Sequence, residues 1–232
     1  MIANSRRKGP IITLDGPAGS GKSTTAKAVA TRLGFLHLDS GALYRALTFG
    51  LLRSGLEDMD WESLSEQEFT NLDIDLKRIE HGFQVLIEGK PVDRELRTPE
   101  VTDRVSFLAS LPASRQSILE LQRKSGEDGQ LVADGRDMGT VIFPHAELKI
   151  YLIADLEERA IRRLREAGED SPDDLVLAQQ ARALDTRDQS DSQRAISPLK
   201  KPEDAIELDT TGLAFEEQVQ AIVDLAHQLT LL

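Results

Sequence analysis

The sequence predicts an α/β fold built on a central parallel β-sheet, and three observations support this prediction. First, short apolar runs of strand character alternate along most of the chain with helical patterns, as in strands connected by helical crossovers. Second, a glycine-rich loop lies between the first strand and the first helical pattern. Third, two later strands end in aspartates, and ligands of such sheets bind at the carboxyl ends of the strands.

The functional prediction depends on the first strand and the loop after it. An apolar run at residues 11–14 precedes Gly-Pro-Ala-Gly-Ser-Gly-Lys-Ser at residues 16–23, which fits the phosphate-binding pattern G-x-x-x-x-G-K-[ST] in full. Glycine permits backbone angles at which successive N–H groups turn toward an anion, and the positive end of the next helix reinforces that site. A chance glycine-rich turn is the alternative, but the flanking strand and helix favour a phosphate-binding loop.

The side chains of this loop predict an ATP site with Mg²⁺ as cofactor. Lys22 is expected to reach the β- and γ-phosphates, and the hydroxyl of Ser23 is the expected inner ligand of Mg²⁺. The predicted ATP-binding residues are Gly16, Pro17, Ala18, Gly19, Ser20, Gly21, Lys22, Ser23 and Thr24.

Length and composition limit the remaining possibilities. The chain has 232 residues, no cysteine and a formal net charge of -12, which allows one large domain and argues against a disulfide framework or a thiolate metal site. We identify no signal peptide and no apolar run long enough to span a bilayer, and we expect a cytoplasmic protein. A chain this acidic is a poor general nucleic-acid binder, and it needs a local cluster of arginines if it handles phosphates.

The second strand and helix place further polar residues beside the loop. Residues 35–39 have the pattern of a strand, and residues 42–52 have the pattern of a helix. Ser40, Tyr44 and Arg45 share a helical neighbourhood at the carboxyl edge of the sheet. Ser40 is also expected to be a plain helix N-cap, and Arg45 considered alone would be a solvated helix charge.

The middle of the chain departs from the strand–helix alternation. An acidic, polar stretch at residues 55–72 has Trp61 as its one large anchor. Residues 72–97 then alternate apolar and polar positions, with turn signals at residues 81–82 and 88–91, which predicts a small antiparallel β insert. This pattern by itself indicates no chemistry.

A second acidic strand end follows two predicted helices. The helices span residues 99–109 and 112–125, and a short strand of buried type spans residues 131–133. That strand ends in Asp134, which is expected to orient the hydration shell of Mg²⁺.

Four further polar residues in this region carry weak signals on their own. Ser106 and Arg115 fall on the two predicted helices, where surface positions are the simplest interpretation. Arg136 and Asp137 follow the strand end, where a local salt bridge of little energetic value is the simplest interpretation.

The last third of the chain contains a predicted lid region at approximately residues 159–195. An arginine-rich helix at residues 154–167 begins it, and ion pairs with neighbouring glutamates are the simplest interpretation of its charges. A second helix is predicted at residues 174–184, and helical spacing continues beyond it. The residues that recur at i, i+4 and i+7 are Arg187, Asp191 and Arg194.

Two strands and a closing helix complete the pattern. The strands span residues 148–153 and 205–209, and an amphipathic helix spans residues 215–229. We expect a disordered lead-in at residues 1–9 and a single domain at residues 10–232, within which the β insert and the lid region lie.

Several of these segments together resemble the bacterial cytidylate kinases, a family of P-loop nucleoside monophosphate kinases. The resemblance runs from residue 11 to residue 229. Its more specific parts are Leu-Asp-Ser-Gly-Ala-Leu-Tyr-Arg at residues 38–45 and Ala-Asp-Gly-Arg-Asp-Met-Gly-Thr-Val-Ile-Phe-Pro at residues 133–144, and residues 95–101 and 187–195 also match. The resemblance implies a three-layer P-loop kinase fold with a lid, and with the β insert in the monophosphate-binding region.

The resemblance also implies a reaction, the transfer of the γ-phosphoryl group of ATP to CMP or dCMP. The residues that match the family's monophosphate site are Ser40, Tyr44, Arg45, Ser106, Arg115, Arg136, Asp137, Asp191 and Arg194. Arginines can hold a 5′-phosphate bidentately, and carboxylates and hydroxyls can bind the amine of cytosine. The residues expected to neutralise the transferred group are Lys22, Arg187, Arg163 and Arg159. The expected metal ligands are Ser23 and, through water, Asp134.

Two other classes of function stay open at this point. Another small kinase, acting on UMP, AMP or a metabolite, would share the loop but not the more specific segments. A nucleotide-dependent switch would bind ATP or GTP without an acceptor pocket, although the Asn-Lys-x-Asp motif that GTP binders usually carry is absent. We expect ATP and CMP or dCMP as small-molecule partners, no nucleic-acid or membrane partner, and a monomer.

Overall fold

A computed structural model of the chain describes residues 8–229, and its strands form one eight-stranded sheet. The strands are β1 (Ile11–Asp15), β2 (Leu36–Asp39), β3 (Ile74–Ile79), β4 (Gly82–Ile87), β5 (Lys90–Pro91), β6 (Leu131–Gly135), β7 (Leu148–Ile153) and β8 (Ile206–Asp209). The helices are α1 (Lys22–Leu33), α2 (Ser40–Ser54), α3 (Glu66–Thr70), α4 (Pro99–Leu108), α5 (Pro112–Lys124), α6 (Leu156–Glu166), α7 (Asp174–Gln193) and α8 (Phe215–Leu229). Shorter helical turns span Asp58–Ser63, Arg94–Arg97 and Met138–Ile142.

The centre of the sheet is parallel, which confirms the predicted fold class. The strand order is β3-β4-β2-β6-β1-β7-β8, and β5 pairs with β4. β6 pairs in parallel with β1 and β2, and β7 pairs in parallel with β1 and β8. The register aligns Leu14 and Asp39 with Asp134, and Asp15 with Gly135. The loop after β1 therefore lies beside the acidic ends of β2 and β6.

The predicted antiparallel insert is present, and it extends the same sheet. β3 and β5 each pair antiparallel with β4. β4 also meets β2 through a parallel contact between Gly82 and His37, where a Cβ on Gly82 would lie 2.7 Å from the carbonyl oxygen of His37. Because glycine allows this close approach, the insert forms one end of the central sheet.

Apolar side chains pack on both faces of the sheet and produce a three-layer arrangement. One core lies against α2, α4 and α5 and contains Trp61, which is completely buried and stacks on Phe107 with ring centroids 6.3 Å apart. The other core lies under α1 and α8 and contains Val29 and Ile222. Trp61 therefore anchors the acidic stretch between α2 and β3, as the sequence predicted.

The segment predicted as a lid consists of two helices that pack together over the phosphate loop. Ala18 of the loop packs with Ala160 of α6 and Leu184 of α7. α7 continues to Gln193, well past the end that the sequence predicted for it, and Arg194 follows with extended backbone angles. A lid function for these helices stays a prediction.

Two expectations concern the chain end and the membrane. Residues 1–7 of the predicted disordered lead-in lie outside the described residues, whereas the backbone N–H of Lys8 donates to the carbonyl oxygen of Asp128 at 2.8 Å. Between residues 8 and 229, no helix combines the length and apolar character needed to cross a membrane.

Candidate active site

A cavity of about 400 Å³ lies at the carboxyl edge of the central strands. The phosphate loop, the start of α2, the helices α4 and α5, the end of β6, and the helices α6 and α7 all contribute to its lining. Eight basic side chains and five acidic ones face the cavity, although the whole chain carries a formal net charge of -12. The basic residues are Lys22, Arg45, Arg97, Arg115, Arg136, Arg163, Arg187 and Arg194. The local cluster of arginines that a phosphate-handling acidic chain requires is therefore present.

The phosphate loop has the backbone geometry that its glycines predict. Gly21 caps α1 in the left-handed region with a φ of 83°, and a Cβ on Gly16 would lie 2.1 Å from the carbonyl oxygen of Leu152. Lys22 is buried, and its Nζ donates to the carbonyl oxygen of Pro17 at 2.7 Å. Burial lowers the pKa of Lys22 well below its ordinary value. The ammonium group thus lies inside the loop, beside the place that phosphates would take.

The helices α6 and α7 hold the phosphate loop through hydrogen bonds to Ala18. The N–H of Ala18 donates to Asp188 Oδ1 at 2.8 Å, and the carbonyl oxygen of Ala18 accepts from Arg159 Nη1 at 2.8 Å. The Arg159 guanidinium also pairs with the Asp188 carboxylate, and Arg159 is not among the residues that line the cavity. The structure therefore places Arg159 behind the loop, whereas Arg163 and Arg187 line the cavity.

The two predicted metal ligands lie together at the sheet edge. Ser23 Oγ donates to Asp134 Oδ2, and His37 Nε2 lies 2.7 Å from Asp134 Oδ1. Burial alone would lower the pKa of His37, but the hydrogen bond and charge of Asp134, together with Asp39, raise it overall. His37 was not predicted from the sequence, because a histidine inside a strand carries no signal of its partner.

Two buried ion pairs lie on the acceptor side of the cavity, and they correct the sequence interpretation. Arg115 pairs with Asp137, and Arg136 Nε donates to Asp191 Oδ2 at 2.8 Å. The expected local salt bridge between Arg136 and Asp137 is therefore wrong, because each side chain reaches a partner distant in sequence. The surface position expected for Arg115 is wrong as well, since its side chain is 7% exposed and its guanidinium lies 5.2 Å from the ring centroid of Tyr44. These pairs shape the cavity wall.

The start of α2 also corrects a sequence prediction. Asp39 is the N-cap, and its carboxylate accepts from the N–H of Ala42 at 3.0 Å. The N-cap role expected for Ser40 is therefore wrong. Ser40 is the first residue of the helix, and its buried Oγ accepts from Gln122 Nε2 at 2.8 Å. Gln122 was not identified from the sequence, because a glutamine within a helical pattern gives no sign that it faces inward.

The remaining predicted substrate residues also reach the cavity. Tyr44, Arg45, Ser106 and Arg194 all contribute to its lining. Arg45 donates to Thr102 Oγ1 at 3.0 Å, so it is not the solvated charge that its position alone suggested. Burial lowers the pKa of Arg45 to about 10. Arg45 therefore stays cationic near neutral pH, as an anion site needs. Burial also lowers the pKa of Arg194 below its ordinary value.

Asp15, which was not predicted as a site residue, connects the two halves of the site. It ends β1 directly before the phosphate loop, and its carboxylate accepts from the N–H groups of Met138 and Gly139 at 2.9 and 2.7 Å. Those amides follow Arg136 and Asp137 in the chain. Burial raises the pKa of Asp15 to about 7. Asp15 therefore fixes the loop that carries the acceptor-side residues to the strand that carries the phosphate loop.

The chain is similar in sequence to proteins of one family and in fold to a solved structure. The sequence model of the family described as cytidylate kinase matches residues 12–228. The chain is 47% identical over 219 residues to a cytidylate kinase of Exiguobacterium sibiricum, covering 93% of this chain and 96% of the relative. It is 44% identical over 221 residues to a cytidylate kinase of Chloroherpeton thalassium, covering 93% and 92% of the two chains. A crystal structure of an uncharacterized protein from Eubacterium ventriosum is similar in fold, with a TM-score of 0.51, 12% identity, and coverage of 94% of this chain and 98% of that one.

Proposed function

The chain belongs to the cytidylate kinase family, and we propose that it transfers the γ-phosphoryl group of ATP to CMP or dCMP, giving ADP and CDP or dCDP. It is a kinase, and small-molecule nucleotides are its substrates. The observation that carries the proposal is that one cavity joins the phosphate loop to a buried set of arginines and aspartates. A donor nucleotide and an acceptor nucleotide can therefore meet in it.

On the acceptor side, we assign the Arg115–Asp137 pair to the base. Arg115 holds one carboxylate oxygen of Asp137, and the second oxygen is left to accept from the exocyclic amine of cytosine. Uracil presents a carbonyl oxygen at that position, which a carboxylate would repel. We assign Ser106 and Arg136 to the acceptor nucleotide as well, and we assign Asp191 and Arg194 to its sugar hydroxyls.

The residues at the loop fit Mg²⁺. Ser23 and Asp134 supply oxygen atoms, which are the ligands that this ion prefers, and Mg²⁺ usually keeps several waters and binds phosphates alongside one or two protein groups. In the described part of the chain, no three His, Cys, Asp or Glu side chains are grouped so as to hold a metal ion, so ATP would complete the coordination. When bound, the ion would neutralise charge on the phosphate oxygens.

Positioning and positive charge account for catalysis in this proposal. A phosphate oxygen of CMP attacks the γ-phosphorus in line with the bond to ADP, and no general base is needed because that oxygen is already ionised. Lys22, Arg163 and Arg187 are the cations placed to neutralise the transferred group. Burial lowers the pKa of Arg187 to about 10, which still leaves it cationic at neutral pH. Arg159 would act indirectly by holding Ala18 of the loop.

A nucleotide switch and a kinase for another acceptor predict different sites. A switch needs no acceptor pocket, whereas the buried Arg115–Asp137 and Arg136–Asp191 pairs line a pocket beside the phosphate loop. A kinase for another acceptor would share the loop, but the family match covers the acceptor-side residues as well.

The identity of the acceptor is tested by ADP release from ATP and Mg²⁺ with CMP, dCMP, UMP, AMP, GMP and dTMP in turn. We expect a strong preference for CMP and dCMP. Activity spread evenly over the acceptors would contradict the roles of Arg115 and Asp137, and an absence of activity with all of them would contradict the proposed reaction.

The cytoplasmic location and the monomeric state stay predictions from the sequence, as do the boundaries of the domain and of the lid region. Size-exclusion chromatography with light scattering would test the monomer. Amide hydrogen exchange of α6 and α7, measured with and without nucleotides, would test the lid function. If these helices close over the site, their amides should exchange more slowly when both nucleotides are bound.

A further inference from the structure

Gln122 is a buried amide that the proposed reaction does not use. It lies on α5, is completely buried, and donates from Nε2 to Ser40 Oγ at 2.8 Å. Gln122 also interacts with Tyr44, since a side-chain hydrogen bond between them lowers the pKa of the tyrosine against the larger effect of burial, which raises it. A buried amide costs stability unless its polar atoms find partners, and an apolar side chain of the same length would avoid that cost. The contacts with Ser40 and Tyr44 therefore explain the amide better than packing does.

This contact gives Ser40 a fixed hydrogen-bonding direction. A serine hydroxyl can donate one proton and can accept through its lone pairs. Because Nε2 of Gln122 can only donate, Ser40 Oγ must accept from it, and the proton of Ser40 stays free for another partner. Ser40 lines the cavity, and the hydrogen bonds of the described residues include none in which Ser40 donates.

The contact also belongs to the wall of the acceptor site. Ser40 and Tyr44 lie one turn apart on α2, and Gln122 and Arg115 lie two turns apart on α5. The Arg115 guanidinium lies 5.2 Å from the Tyr44 ring centroid and pairs with Asp137. Two side-chain contacts therefore connect α2 and α5 beside the cavity. One joins Tyr44 to Arg115, and the other joins Ser40 to Gln122.

We propose that Gln122 is a positioning residue for the acceptor nucleotide, because it makes Ser40 a fixed donor toward a hydrogen-bond-accepting atom of that nucleotide. The inference deepens the proposed function and rests on it. CMP offers such atoms at N3 and O2 of the base and on its phosphate. Uracil carries an N–H donor at N3, so a contact with N3 would favour cytosine, whereas a contact with O2 or with the phosphate would serve both nucleotides equally.

A double-mutant cycle tests whether Gln122 acts through Ser40. Dissociation constants for CMP, UMP and ATP are measured calorimetrically for Gln122→Met, Ser40→Ala and the double variant. We expect Gln122→Met to weaken CMP binding by about 3- to 10-fold, the loss of roughly one hydrogen bond. The double variant should bind CMP like Ser40→Ala alone, and ATP binding should stay unchanged. Additive losses would show that Gln122 acts independently of Ser40 and would overturn the inference.

Control variants and a comparison of CMP with UMP make the result easier to interpret. Gln116→Met makes the same change on the exposed side of α5 and should leave CMP binding unaltered. Gln122→Leu, which also removes the amide donor without burying a charge, serves if Gln122→Met does not fold, and unchanged CMP binding in it would overturn the inference. A fall in the preference for CMP over UMP locates the contact at N3 of the base, and equal losses locate it at O2 or at the phosphate. Failure of the unaltered protein to bind CMP would contradict the proposed function itself.

Discussion

Replacing Asp15 by asparagine changes how the stability of the protein depends on pH. Asp15 is 1% exposed, and its carboxylate accepts from the N–H groups of Met138 and Gly139. Burial raises the pKa of Asp15 to about 7, against an ordinary value of 3.8, even though the two hydrogen bonds act in the opposite direction. The folded protein therefore holds a proton on Asp15 at pH values where the unfolded chain has lost it.

The size and sign of the effect follow from this difference. Because the pKa in the folded state is the higher one, the contribution of Asp15 to stability is full below pH 3.8 and is lost as the pH rises toward 7. The difference of about 3 pH units corresponds to about 4 kcal/mol in the free energy of unfolding. Between pH 5 and pH 7, Asp15 alone should lower that free energy by about 2 kcal/mol, because Asp15 is still half protonated at pH 7.

Urea unfolding of the unaltered protein and of Asp15→Asn at pH 5 and pH 7 measures this effect. All other titrating groups are common to the two proteins, so the difference between their unfolding free energies isolates Asp15. We expect the unaltered protein to gain about 2 kcal/mol relative to the variant on going from pH 7 to pH 5. A difference that is the same at both pH values would refute the reasoning, and circular dichroism at each pH checks that both proteins start folded.

Three further predictions concern the two halves of the site. Lys22→Met removes the cation of the phosphate loop, and we expect ADP release to fall by several orders of magnitude while the circular dichroism spectrum is retained; near-normal turnover would contradict the role of Lys22. Asp137→Asn leaves Arg115 buried without its carboxylate, and we expect a loss of about 3 kcal/mol in urea unfolding together with a smaller preference for CMP over UMP; an unchanged preference would contradict the base assignment. Ser23→Ala removes the hydroxyl that donates to Asp134, and we expect the Mg²⁺ concentration for half-maximal turnover to rise; an unchanged midpoint in a Mg²⁺ titration would contradict the metal role.

The sequence was sufficient for the order of the elements and for the phosphate loop. Periodicity is a local property, and the strand–loop–helix context of residues 11–33 is local as well, so both are readable from neighbouring residues. The antiparallel insert was predicted for the same reason. Its parallel contact with β2 was not, because Gly82 and His37 are distant in sequence and no local pattern links them.

Side-chain partners were the part that local patterns could not supply. Arg136 and Asp137 are adjacent, and adjacency suggested a pair, yet successive residues at the end of β6 point in different directions and reach α7 and α5. Asp39 caps α2 in place of Ser40, because the strand ends one residue before the helix begins and leaves Asp39 in the extended geometry of a cap. Ser40 is thereby free to face Gln122.

The arginine-rich helix α6 is a further example of what local patterns cannot supply. Its arginines have the same chemistry and lie within two turns of one another, so the sequence could not show which of them face the cavity. In the folded chain Arg159 is directed to Ala18 and Asp188 behind the loop, whereas Arg163 reaches the cavity. Their different surroundings arise from the packing of α6 against α7 and the loop.

The central claim is that the γ-phosphoryl group passes from ATP to CMP within one cavity. A single-turnover reaction with γ-labelled ATP, Mg²⁺, excess CMP and excess protein tests it most directly, with the products separated and counted. The account predicts that the label leaves ATP and appears in CDP, with little in inorganic phosphate. Label that appears mainly in inorganic phosphate, or that stays in ATP whether or not CMP is present, would contradict it.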